Sequence, residues 1–162
     1  LNKWLSLSIP MKYLTNITIL VSIVAYYTRA YWVFLVSIPL LITNAIVVCI
    51  VEWFNGDELT SAVLNIPSSQ PDVVKNVKYK FMFINTIWHF IPLAWVWYIL
   101  NKDNLIDVFR PNFMGCFLAD AIFGISYFYF ASTGKYYGDI DYSWYLVVYI
   151  FVLFTTCISI YS

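Results

Sequence analysis

The sequence has 162 residues, of which 62% are hydrophobic, 21% aromatic and only 11% charged. Soluble domains carry about 25% charged residues, so there is too little polar surface here to coat a water-soluble globule. Nine Lys/Arg against nine Asp/Glu leave no basic field for nucleic acid and no acidic tail. What remains is an integral membrane protein whose first partner is the lipid bilayer.

A spanning helix needs about 20 apolar residues, because the hydrocarbon core is about 30 Å thick. Between Met11 and Val51 only Lys12 and Arg29 are charged. One helix of that length would run about 60 Å, twice the core. The segment therefore folds back at Tyr27-Thr28-Arg29-Ala30, giving spans over 11–27 and 31–51. No small-residue cleavage site separates them, which argues against a signal peptide. The sequon Asn16-Ile17-Thr18 falls inside the first span and reads as unmodified.

Residues 52–78 form the longest polar segment and read as a loop. Asn55-Gly56-Asp57-Glu58 is a turn signal, and Ile66 to Pro71 is a cluster of breakers. A short interfacial helix over 57–64 is a further expectation. Pro71 suits a helix start, since its missing N–H does no harm in the first turn. That helix begins in water and crosses the membrane over 79–100. Residues 101–112 form a charged loop, and Pro111 marks the start of the next helix, spanning 113–131. Ser132 to Lys135, Asp139 and Asp141 break the chain before a last span over 142–161.

The fold expected is all-α: a polytopic bundle of five transmembrane helices, one domain over residues 1–162. With five crossings, the N-terminal tail, the 52–78 loop and the 132–141 loop share a face. That face carries Lys3, Lys12, Lys75, Lys78, Lys80 and Lys135, against Arg29, Lys102 and Arg110 opposite. The positive-inside rule then makes the N-terminus and the 52–78 loop cytoplasmic. The sequence opens on Leu1 and stops directly after an apolar run, which reads as a trimmed or partial chain.

Aromatic residues gather near span ends, at Tyr26-Tyr27, Tyr31-Trp32, Trp95 to Tyr98 and Tyr142 to Tyr145, as headgroup anchors. A skew toward Phe, Tyr, Met, Ile, Asn and Lys also matches AT-rich codon usage, so single Tyr or Asn residues carry little weight. Cys49, Cys116 and Cys157 lie in apolar runs without CxxC spacing and read as small apolar groups. Gly115 and Ala119, four apart, read as a helix-packing patch. No metal site, nucleotide loop, ion filter or nucleophile elbow appears, and no cofactor is expected.

Two ionisable residues lie deep in the spans, His89 and Asp120. An ionised Asp at a helix centre costs about 2.5–3.5 kcal/mol, so it should face a partner or water rather than lipid. His89 stands 11 residues before Leu100, about 16 Å, and Asp120 stands 7 after Phe113, about 10 Å. Adjacent antiparallel helices would bring the two within contact. Asn85 shares the His89 face one turn away, and Asn44 lies in the inner half of the second span. Pro92 frees the Trp88 carbonyl beside the imidazole.

Three functions remain open. The leading expectation is a small multi-pass protein without catalytic chemistry, acting in membrane organisation, assembly or partner binding, with itself or other membrane proteins. There His89 and Asp120 form a structural clamp, and Asn44 and Asn85 supply interhelical hydrogen bonds. The second is a proton-coupled or small-solute transporter, with Asn44, Asn85, His89 and Asp120 along its path. The third is a membrane-embedded lipid hydrolase or acyltransferase. There His89 is the general base, Asp120 orients it, and Thr86 or Cys116 is the nucleophile. A Thr and a His inside a small helical bundle is a combination similar to that of the androgen-induced-gene family of membrane lipid hydrolases. That likeness rests on two residue types and implies ester hydrolysis.

Overall fold

The computed structural model describes residues 13–67, 69–134, 136 and 142–161, the last stretch with side chains at 144–156 and 158. Lys3, Met11, Lys12, Ser68, Lys135, Asp139, Asp141 and the Cys157 thiol lie outside the described residues. The described residues form five helices and no strand: α1 (Leu14–Tyr27), α2 (Tyr31–Leu64), α3 (Pro71–Lys102), α4 (Ile106–Gly134) and α5 (Tyr142–Tyr161). The all-α expectation holds. Three of the helices, α2, α3 and α4, are long and apolar enough to cross a membrane. The described part of α1 is 14 residues, about 21 Å.

The chain stops its helices with left-handed caps. Arg29 sits at φ 60°, and the Ala30 N–H reaches back to the Ala25 carbonyl at 2.8 Å. Asn104 at φ 51° does the same after α3, where Leu105 donates to the Leu100 carbonyl at 3.0 Å. Both are six-to-one closures that satisfy the last carbonyls of a helix. The hairpin break at 28–30 and the start of α3 at Pro71 stand where the sequence put them.

The 101–112 loop does not, because α4 begins at Ile106 and carries Pro111 inside it. Within 52–78 the expected break at Asn55 and helix over 57–64 are found, but as a kink and continuation of α2 rather than as a loop. Helix α2 continues through Glu52 to Leu64, bent at Asn55, whose φ of −129° and ψ of 32° are not helical. The Tyr145 hydroxyl donates to Asn55 Oδ1 at that bend. Only residues 65–70 separate α2 from α3, and only 103–105 separate α3 from α4. A charged residue after an apolar run marks an exit from hydrocarbon, but a helix need not end there.

Helix α2 is the axis of the bundle. It packs against α1, α3, α4 and α5, and α4 also packs on α5. Phe34, Leu35, Ile38, Leu41 and Ala45 on α2 are all buried, which is what a helix enclosed by neighbours requires. The outer surface is apolar too, with Phe83, Phe130 and Phe151 each more than 60% exposed. Gly124 lets α4 approach α5: a Cβ there would stand 2.2 Å from the ring of Tyr149, which is fully buried. At Gly115 a Cβ would meet Trp32 at 3.4 Å, an ordinary contact, so that patch does not force close backbone approach.

Candidate functional site

The centre of the site is His89, buried on α3. Its Nδ1 lies 2.7 Å from the backbone carbonyl of Asn85, one turn earlier. A carbonyl only accepts, so Nδ1 carries the hydrogen, and in the neutral ring Nε2 then presents a lone pair. That lone pair meets Thr15 Oγ1 of α1 at 2.8 Å. The Thr15 hydroxyl therefore donates to a neutral imidazole held in one tautomer. Thr15 is the second residue of α1, buried, in the turn where backbone N–H groups and the helix dipole give partial positive charge.

Asn85 extends the network to α2. Its Nδ2 donates to Glu52 Oε1 at 2.8 Å, and the Thr86 hydroxyl donates to Glu52 Oε2 at 3.0 Å. Glu52 is buried, with both carboxylate oxygens supplied with a donor. The residue beside each member of the Thr15–His89 pair also makes a bond. Trp88 Nε1 donates to Asn16 Oδ1 at 2.9 Å on the outer surface.

On α3, His89 stands nine residues after Lys80 and thirteen before Lys102, about 13 Å and 20 Å along the axis. The pair is thus inside the apolar stretch between the two flanking charges.

Several expected contacts do not form. Asp120 points inward and is fully buried, but neither carboxylate oxygen has a hydrogen-bond partner, so it meets neither His89 nor Asn85. The expectation took α3 and α4 as packed neighbours because a short loop joins them. Instead α2 packs against both, and α1 reaches α4 through the Leu14 N–H, which donates to the Tyr127 hydroxyl at 3.0 Å. Thr86 is turned to Glu52 rather than to His89. Cys116 is a buried free thiol on α4, the helix of Asp120, and α4 is not closely packed against α3. Asn44 is buried on α2, its Nδ2 without a partner.

Sequence reasoning missed Thr15 and Glu52. A usable signal existed for Thr15. Helices α1 and α3 run the same way, and Thr15 stands 12 residues before Tyr27 while His89 stands 13 before Lys102. Counted from that shared end, both lie about 18–20 Å deep. For Glu52 the only signal was two polar residues, Asn85 and Thr86, adjacent on α3 without a stated acceptor.

No protein-family model, curated protein or solved structure matches this chain.

Proposed function

We propose that the chain is an integral membrane enzyme that cleaves or transfers acyl groups, with Thr15 as nucleophile and His89 as general base. The observation that supports this is the 2.8 Å contact between Thr15 Oγ1 and a His89 Nε2 whose lone pair is aimed at it. A hydroxyl on a neutral, tautomer-fixed imidazole is the arrangement that activates a weak nucleophile. All three readings gave His89 an Asp120 partner, which it lacks; the acyl-transfer reading is the one for which a replacement contact, Thr15 on His89 Nε2, supplies a nucleophile.

The chemistry follows from the geometry. Thr15 Oγ1 adds to an ester carbonyl as its proton passes to His89 Nε2. The Asn85 carbonyl, accepting from Nδ1–H, supports the imidazolium. The positive end of α1 favours the oxyanion. Collapse expels the alcohol, which takes the proton from Nε2, and leaves an acyl-Thr15. Water, or a second alcohol, then gives its proton to His89 and attacks the acyl group, restoring the Thr15 hydroxyl. The apolar depth of the pair selects substrates that dissolve in lipid.

The test uses the full chain in phosphatidylcholine vesicles with hexadecyl fluorophosphonate. Thr15 Oγ1 should displace fluoride, and peptide mass spectrometry should find the phosphonyl group on Thr15. Thr15→Val should reduce labelling to background, and His89→Gln should slow it at least about 100-fold, the contribution of a positioned base. An adduct elsewhere, or unchanged labelling in Thr15→Val, overturns the assignment.

We further infer that all five helices cross the membrane, with the 65–70 connection on the cytoplasmic side. The apolar exterior and the excess of Lys near that end support this. Single cysteines at Ser69 and Lys102 should label from opposite faces. Labelling from the same face removes the topology.

A further inference from the structure

Helices α1 and α3 are held together differently from the pairs that α2 makes with its neighbours. Their backbones are not among the closely packed pairs. The seam is closed by side chains: Thr15 on His89, Asn16 on Trp88, and the Tyr26 ring on Trp95 with its hydroxyl on Asp103. Two of these bonds are adjacent in both helices. Thr15–His89 is the inner one, and Asn16–Trp88 is the outer one, on the side where Trp88 is 45% exposed.

An indole N–H and a carboxamide facing hydrocarbon have no water to turn to, so they pair with each other. One hydrogen bond is a weak closure, and the N–H it uses suits any carbonyl oxygen. An ester carbonyl arriving from the lipid can replace Asn16 Oδ1 on Trp88 Nε1. That exchange places the carbonyl one residue from His89 and leaves the seam open at Thr15. The Tyr26 cluster, three turns along α1, keeps the helices together while the outer bond exchanges.

We propose that acyl esters reach Thr15 sideways from the bilayer through the α1–α3 seam, and that the Asn16–Trp88 bond is the latch of that opening. The proposal rests on the Thr15–His89 reading for its substrate, but the route can be measured without catalysis. Thr15→Cys, made with Cys49→Ser, Cys116→Ala and Cys157→Ser, turns access into alkylation by a maleimide. In phosphatidylcholine vesicles N-hexadecylmaleimide should react with that thiol faster than a sulfonated maleimide offered from water. Trp88→Phe, which keeps the ring and loses the N–H, should raise the N-hexadecylmaleimide rate about fivefold, the factor that one net hydrogen bond controls. Asn16→Ala should do the same. Equal or faster reaction with the sulfonated reagent overturns the lateral route, and unchanged rates in both variants overturn the latch. A native chain that hexadecyl fluorophosphonate fails to label at Thr15 refutes the dyad instead, because the two maleimides attack the same thiolate and the ratio of their rates reports access, whatever group takes its proton.

Discussion

Glu52 and Asp120 are both carboxyl side chains buried in one bundle, 6% and 0% exposed, and their surroundings are opposite. Glu52 on α2 receives Asn85 Nδ2 and the Thr86 hydroxyl from α3. Asp120 on α4 receives nothing, and Thr43 Oγ1 and Asn44 Nδ2 on α2 are likewise unpaired. One acid is built into an interface and would leave two donors stranded if removed. The other is a desolvated group that the fold tolerates. Burial alone therefore does not mark a working residue. The acid with partners is bonded to Asn85, whose carbonyl accepts from His89, and the acid without partners has no bond to that network.

The largest effect is expected at Glu52. Replacing it with Leu leaves the Asn85 amide and the Thr86 hydroxyl without their acceptor at the α2–α3 contact. The expected loss is about 3 kcal/mol of stability, summed over two stranded donors. Glu52→Gln keeps an acceptor oxygen for one of them and should lose less than half as much. Reversible unfolding of the full chain in mixed micelles gives both numbers. Should Glu52→Leu unfold at the wild-type denaturant concentration, the network is decoration and the contrast with Asp120 disappears.

The turn chemistry was readable from sequence, and the tertiary choices were not. Thr28 to Ala30 and Pro71 act through their own backbone, so the hairpin and the start of α3 could be placed. Glu52 was read as the first residue of a loop, because a carboxylate after twenty apolar residues looks like an exit. Its helix continues because donors on α3 accept the burial, and no local pattern shows that. The His89–Asp120 pairing failed for a similar reason. Depth from a shared loop fixes the level of a residue but not which helix stands beside it, and here α2 took both neighbours. Counting depth on α1 and α3 together would have brought Thr15 to His89.

Gly124 fixes the helix that carries Asp120. A Cβ at Gly124 would lie 2.2 Å from Tyr149 Cε1 and 2.5 Å from its hydroxyl oxygen. The ring is enclosed and cannot swing clear. Gly124→Ala gains about 1 kcal/mol in helix propensity and meets an overpacking cost of up to about 3 kcal/mol, a net loss of about 2 kcal/mol. Tyr149→Leu should rescue part of that loss in the double variant. Additive effects would mean that α4 is free to shift, and with it Asp120.

The smallest effect is expected at Asp120 itself, and its sign carries the argument. An unpaired carboxyl in a packed interior costs free energy by desolvation whichever protonation state it adopts, because no donor or acceptor replaces the water it left. Removing the polarity while keeping the shape should therefore stabilise the fold. Asp120→Val is close in volume and should gain about 1 kcal/mol, reduced from the full desolvation term by the strain of branching at Cβ in a helix. Asp120→Asn keeps a polar group without a partner and should change stability by less than Asp120→Val. Both variants should label with hexadecyl fluorophosphonate at the native rate, since nothing connects Asp120 to Thr15 or His89. The contrast with Glu52 is then complete: one buried acid whose loss weakens the bundle, another whose loss strengthens it. A loss of labelling in Asp120→Asn with the fold intact would place the acid in the reaction after all, and a loss of stability in Asp120→Val would mean it has found a partner.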